Sequence, residues 1–149
     1  MTLDERNDEV NKALENRFSQ LNAALEAHET KLKAMMVPKD VWVMYDSGSV
    51  EDQSGNTVGE FSLHIGMIKL RGAWRLCHTN HYFHYSGPEE DFDWKPLVEA
   101  SIEDRLKAAE HIDKLREAIV EAKEKLVPDV EKAIATLAKS LERYEDGGK

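Results

Sequence analysis

Apolar residues recur at helical spacing along the N-terminal quarter of the chain. Thr2 and Glu5 stand three positions apart, as in a capping box, where each side chain bonds to the backbone amide of the other residue. Pro38 disfavours helical geometry at the residue before it, so we expect a helix within residues 1–37 that ends near Met36. Its steps of three and four residues are typical of a coiled-coil seam. The seam comprises Leu3, Val10, Leu14, Phe18, Leu21, Leu25, His28, Leu32 and Met35.

The central part of the chain changes from helical spacing to the alternation of apolar and polar residues that is typical of strands. Arg71 and Gly72 fit a tight two-residue turn, and a turn-rich stretch with Gly48 and Gly55 separates the first two strands. These features predict a three- to four-stranded antiparallel meander within residues 41–99. The predicted strands are 41–46, 58–70 and 73–85, with 95–100 as a candidate edge strand.

Helical spacing returns after Ser101, a favourable N-cap, with Glu103 and Asp104 placed to complement the helix dipole in the first turn. Pro128 interrupts the apolar stripe, which resumes at nearly the same phase, so Pro128 either begins a new helix or kinks one long helix. Residues 101–146 therefore form a long C-terminal helix or a kinked helix pair. The stripe comprises Ile102, Leu106, Ala109, Ile112, Leu115, Ile119, Ala122, Leu126, Val130, Ile134, Leu137, Leu141 and Tyr144.

Together these patterns predict an α+β fold in a single domain that spans residues 1–149, with a small sheet between two long helices. Helices of this length extend beyond an ordinary small domain, so part of each seam needs a partner helix. We therefore expect a homo-oligomer whose helices form coiled-coil contacts.

Composition and charge narrow the classes of partner. The chain of 149 residues carries a net charge of −9, whereas phosphate recognition needs clustered Lys and Arg, so we expect no nucleic-acid or membrane partner. One cysteine allows no intrachain disulfide. The acidic N-terminus does not resemble a signal peptide, and no apolar run is long enough to span a bilayer. We therefore expect a cytoplasmic protein.

The candidate chemistry lies in the stretch RLCHTNHYFHYS, residues 75–86, which holds the only cysteine and three of the six histidines. Pairing across the Arg71–Gly72 turn places His78 and His84 on the core face of the sheet. The opposite face, which we call the second sheet face, carries Ser62, His64, Gly66, Ile68, Arg75, Cys77, Thr79 and His81.

On the second sheet face, His64 lies diagonally across from Cys77 and His81, at Cα separations of about 7–8 Å. These three residues are the candidate ligands of a zinc ion. Cys77 is also a candidate nucleophile with either histidine as its base, but no helix N-terminus or glycine-rich oxyanion loop follows it. We therefore predict no catalytic residue. The acidic loop that follows spans residues 86–94, and we interpret its residues 89–93 as solvated rather than as a calcium site, because they lack the alternation and the final Glu of an EF-hand loop.

The same stretch is the one locally basic and aromatic region in an acidic chain. Aromatic and Arg side chains supply the strongest contacts of protein interfaces, and they also stack on and neutralise small anions. The candidate ligand-binding residues are His64, Lys69, Arg71, Arg75, His81 and Tyr85.

Our leading hypothesis is a non-enzymatic, homo-oligomeric binding or regulatory protein whose helices assemble it and whose sheet recognises a protein partner. The first alternative is a protein that binds a small, nucleotide-like anion or a metal through the same face. The second is a chaperone or adaptor, because long helices at both chain ends with hairpins between them resemble the layout of prefoldin-type subunits. In that family the hairpins form the oligomer and the coiled coils hold clients.

Overall fold

The computed structural model describes residues 1–147 and packs helices against a four-stranded antiparallel sheet of order β1-β2-β3-β4. The predicted α+β class and the helix–sheet–helix order are confirmed. The elements are α1 (Leu3–Ala34), β1 (Val41–Glu51), β2 (Thr57–Leu70), β3 (Ala73–His84), β4 (Lys95–Pro96), a 3-10 turn (Leu97–Glu99), α2 (Ile102–Ala109) and α3 (Ile112–Gly147).

Both ends of α1 follow from local sequence. The Thr2 hydroxyl accepts a hydrogen bond from the Glu5 amide at 3.1 Å, and the Glu5 carboxylate accepts one from the Thr2 amide, so the predicted capping box is confirmed. The helix ends at Ala34, slightly before the predicted end. Met36 then takes a left-handed conformation with φ of 61°, which turns the chain towards Pro38 and the sheet.

The turn between β2 and β3 sets the register of the sheet. Arg71 and Gly72 both have positive φ, at 49° and 85°, as a type I′ turn requires. The paired positions of the two strands sum to 143 throughout, from Leu70 with Ala73 to Gly59 with His84, which confirms the predicted register. Alternation then places Ile65 and Met67 on one face and His64 and His81 on the other.

Strand β1 is longer than the sequence pattern predicts. It extends to Glu51 because residues 47–51 pair with β2, after a register shift that follows Met44. The turn-rich connection is therefore reduced to residues 52–56. There the Asp52 carboxylate accepts hydrogen bonds from the amides of Ser54 and Asn56, an Asx-type turn.

The core lies between one sheet face and the helices. Ile65 and Met67 of β2 and Leu115 and Ile119 of α3 are completely buried. Burial of each such side chain stabilises the fold by about 1.5–3 kcal/mol relative to exposure. The other buried apolar residues of this core are Leu25, Leu32, Val37, Val41, Tyr45, Leu63, Leu76, Leu97, Ala100, Ala108 and Ile112.

The C-terminal stripe is broken at a different place from the one that the proline suggests. Helix α3 runs continuously through Pro128, whereas the break lies at residues 110–111, between α2 and α3. The break changes the helical phase, so Leu106 is exposed and Ala108 is buried, contrary to the predicted stripe. Because of this change, Ile112, Leu115 and Ile119 face the sheet.

Helices α1 and α2–α3 run in the same direction along the sheet. Arg105 of α2 donates to the Asn22 side chain in the middle of α1, at 2.6 Å, and Lys123 of α3 donates to the carbonyl of Met35 at the end of α1. We call the packed sheet and the helix segments on it the body. The N-terminal part of α1 and the C-terminal part of α3 extend beyond this contact, so they leave the body at opposite ends. We call residues 3–17 the N-terminal arm and residues 127–147 the C-terminal arm.

Within residues 1–147, no helix combines the length and the apolar composition needed to cross a bilayer.

Gly66 of β2 provides a test of how closely β1 and β2 approach. A β-carbon at this position would lie 2.6 Å from the carbonyl oxygen of Val41 and 2.8 Å from the β-carbon of Trp42. We expect Gly66→Ala to reduce the free energy of unfolding by about 1–3 kcal/mol, measured by urea denaturation, because backbone atoms must shift. Gly87→Ala is the control, since its new β-carbon would meet nothing closer than 3.8 Å. Equal losses in the two variants would contradict the close approach.

Candidate functional site

The second sheet face is covered by the segment that follows β3. We call residues 86–94 the cover loop. Its Phe92 and Trp94 rings contact Trp42 of β1, with centroid separations of 5.8 and 5.9 Å. The prediction of a solvated loop is therefore wrong for Phe92. The sequence DFDW contained the signal, because alternation turns its aromatic residues inward while Asp91 and Asp93 stay exposed.

Phe92 occupies the centre of the second sheet face, in contact with two predicted site residues. Its ring centroid lies 5.0 Å from that of His64 and 4.7 Å from that of His81. The ring nitrogen Nε2 of His81 donates to the carbonyl of Glu90 at 2.6 Å, since a carbonyl can only accept. The cover loop is therefore held by one strong hydrogen bond and by an aromatic cluster.

Burial controls the charge of His64. Desolvation lowers its pKa, and the nearby His81 lowers it further. Its Nδ1 atom is buried and has no hydrogen-bond partner within residues 1–147. His64 is therefore a neutral ring in an aromatic environment near pH 7, and a proton added there would face a charge penalty.

The structure does not assemble the predicted zinc ligands His64, Cys77 and His81 into a metal site. The Phe92 ring contacts both imidazoles, and Nε2 of His81 is bonded to the backbone of the cover loop. Among the residues that the structure describes, no group of three or more His, Cys, Asp or Glu side chains is arranged to hold a metal ion.

Cys77 is completely buried, and burial raises the pKa of its thiol to about 12. The nearby Arg75 acts in the opposite direction, but its effect is smaller than that of desolvation. Nucleophilic chemistry requires a thiolate, so Cys77 is a protonated packing residue at physiological pH.

Arg75 is held by a residue that the sequence analysis missed. Its Nε atom donates to the Glu29 carboxylate of α1 at 3.2 Å, and the same carboxylate oxygen accepts from the Leu76 amide at 2.7 Å. Glu29 thereby satisfies a backbone donor on the free edge of β3. No local signal in the sequence connects these residues, because they lie more than 40 positions apart.

Two of the predicted anion-binding residues do come together. Arg71 and Arg75 line a cavity of about 590 Å³ at the β3 edge, which we call the basic cavity. Lys95 adds a third cation, and Trp94 supplies an aromatic wall. Leu70, Ala73, Pro96 and Glu99 complete its lining.

The other predicted residues lie elsewhere. The Lys69 side chain is exposed, while its backbone amide donates to Asp40 at 3.0 Å. The Tyr85 hydroxyl donates to Glu60 at 3.0 Å, and this hydrogen bond raises the pKa of the phenol. Glu60 and His81 line a second cavity, of about 510 Å³, at the far end of the sheet. The six predicted ligand-binding residues therefore do not form one site.

Comparisons with known proteins returned no family model, no curated protein and no solved structure that matches this chain. The fold and the contacts described above are therefore the basis for any functional conclusion.

The histidines beneath the cover loop predict a stability that depends on pH. Burial lowers the pKa of folded His64, so the unfolded chain, with an unperturbed value of about 6.5, takes up a proton first as the pH falls. Acidification from pH 7.5 to 5.5 should therefore lower the urea midpoint. His64→Gln should weaken this dependence without removing it, because burial also lowers the pKa of His78.

The matched control is His28→Gln, on an exposed surface of α1, which should retain the wild-type pH dependence. A pH dependence that is the same in His64→Gln and wild type would contradict the assigned burial of His64.

Proposed function

We propose that this chain is a non-enzymatic, homo-oligomeric binding protein that assembles through its helical arms. The observation that supports this proposal is the exposed apolar seam of the C-terminal arm. Ile134, Leu137 and Leu141 are 61%, 65% and 63% exposed, although each is an apolar residue of a type that is usually buried. An apolar stripe of this length on an isolated helix is typical of an association surface.

The spacing of the seam supports helix pairing rather than a general apolar patch. Its steps alternate strictly between three and four residues, which keeps the side chains on one line of a helix that meets another helix. The seam residues are Val127, Val130, Ile134, Leu137, Leu141 and Tyr144.

The N-terminal arm adds a shorter apolar stripe, with Leu3, Val10 and Leu14 exposed. The two arms leave the body at opposite ends, so they do not cover each other within one chain. This geometry also favours assembly over the prefoldin-like alternative, since α1 and α3 run in the same direction and residues 3–17 do not pair with residues 127–147 of the same chain.

We propose further that the second sheet face and its cover loop recognise the partner, in a cytoplasmic setting that suits a single buried, unpaired cysteine. The aromatic residues of the cover loop lie over His64 and His81, and its acidic residues face solvent. No group in this proposal acts as a nucleophile.

Ile134→Glu tests the assembly. A carboxylate in the centre of the seam should convert the wild-type oligomer into a monomer in sedimentation velocity, because the charge would be desolvated in the interface. Thr136→Glu, at an exposed position two residues away, introduces the same charge and should leave the oligomer intact. Circular dichroism should show that both variants are folded. A monomeric wild-type protein at micromolar concentration would overturn the proposal.

A second candidate function is the binding of a small anion, and the basic cavity is the observation that favours it. Arg71, Arg75 and Lys95 bring three cations to one concave surface of a chain whose net charge is −9. Cations and an aromatic wall suit a phosphate that carries a flat, stacking group. The volume of about 590 Å³ is also that of a small-molecule site.

A thermal-shift titration with ATP and with inorganic pyrophosphate tests this candidate. ATP at about 100 times its Kd should stabilise the protein by about 2.7 kcal/mol, and pyrophosphate alone should have less effect because it cannot stack. The double variant Arg71→Asn, Lys95→Gln should abolish the shift. The control Lys12→Gln, Lys139→Gln removes the same charge from the exposed surfaces of the arms and should keep it. If neither the wild type nor the control shows a thermal shift, anion binding is excluded as a candidate function.

A further inference from the structure

We infer that the C-terminal arms of two copies pair antiparallel to each other. This inference rests on the proposed homo-oligomer and specifies its interface. In this arrangement each seam residue meets the residue of the second copy whose number completes a sum of 271. Val127 then lies against Tyr144 of the second copy, and the symmetry axis passes between positions 135 and 136.

The seam is symmetric about this axis, so an antiparallel pair leaves no seam residue without a partner. Going inward from each end, both directions meet a step of three residues and a step of four before the central step of three, which spans the axis. A seam with this property can be isologous, since the same surface then serves both copies. The three kinds of layer are Val127 with Tyr144, Val130 with Leu141, and Ile134 with Leu137.

The sizes of the side chains favour this direction over a parallel pair. Antiparallel pairing puts the smallest residue, Val127, opposite the largest, Tyr144, and Val130 opposite Leu141. The layers therefore have similar volumes, as close packing requires. A parallel pair would place Val127 against its own copy and Tyr144 against its own copy, which gives a loose layer at one end and a crowded layer at the other.

The residues beside the seam allow the two helices to approach closely. Ala133, Ala138 and Ser140 flank the central layers and are small. In the antiparallel pair Ala133 faces Ser140 of the second copy. The opposed helix dipoles also attract in this direction and repel in the parallel one.

The size of the interface is adequate for a stable contact. The arm is about 31 Å long at 1.5 Å per residue. At roughly 60 Å² of apolar surface for each seam side chain, two copies would bury about 700 Å² from the seam alone. The flanking residues bring the total near the roughly 1,000 Å² that specific association needs. The bodies of the two copies lie at opposite ends of the antiparallel pair, so they do not clash.

The N-terminal arm of a second copy is the competing occupant of this seam. Its apolar residues are fewer, and a gap of seven positions separates Leu3 from Val10. It cannot match a continuous seam in every layer, so self-pairing of the C-terminal arm is favoured.

Disulfide trapping tests the direction of pairing. Val130→Cys and Leu141→Cys are made separately, one of them with a size tag, mixed, and equilibrated in a glutathione redox buffer. Antiparallel pairing predicts a mixed disulfide as the main product. It predicts little disulfide within either single population, because two copies of position 130 would be about 16 Å apart along the axis, beyond the reach of a disulfide. The wild type, whose Cys77 is buried, should give no cross-link.

The outcomes separate this inference from the proposed function. A preferred disulfide between two Val130→Cys chains would show parallel pairing and overturn the inference while keeping the oligomer. If Leu14→Glu abolishes the oligomer and the C-terminal arms form no cross-link, the N-terminal arm is the interface. This result would also overturn the inference of antiparallel pairing. A wild-type monomer in sedimentation would overturn both.

Discussion

The rest of the structure depends on the packing of α1 and α2–α3 side by side, in the same direction, on one sheet face. Leu25 and Leu32 of α1 and Leu115 and Ile119 of α3 are buried on that face around Ile65. The sheet covers only part of each helix, and two parallel helices that are offset along their axes have free ends on opposite sides. The exposed arms are thus a direct consequence of the core, and their seams remain available for a second copy.

The same packing leaves the second sheet face to be covered by other means. Residues 1–147 contain no further helix for it, so the cover loop supplies Phe92 and Trp94 instead. This cover desolvates His64, which lowers the pKa of the imidazole. Cys77 is buried on the same face, and burial raises the pKa of its thiol. His64 and Cys77, which first suggested metal or nucleophilic chemistry, are therefore neutral packing groups. Arg71, Arg75 and Lys95 line the basic cavity at the β3 edge, where Glu29 holds Arg75.

Much of the fold could be predicted because its signals are local. The capping box of Thr2 depends on residues three positions apart, and the type I′ turn at Gly72 fixes the register of every pair between β2 and β3. The candidate site could not be predicted to the same extent. The contact of Phe92 with His64 depends on how the cover loop folds back over the sheet, and periodicity carries no information on that path.

The sequence by itself determined the order of helices and strands, the pairing of β2 with β3, and the two seams, because spacing and turn chemistry act over a few residues. Only the tertiary structure decided the parallel direction of α1 and α3, the break before Ile112, and the bond from Glu29 to the β3 edge. These features depend on which surfaces meet, and surfaces meet through contacts between residues far apart in the chain. The result is a body with one buried helical face and two exposed arms, and the proposed association of these arms rests on seams that the sequence contains and that the fold leaves exposed.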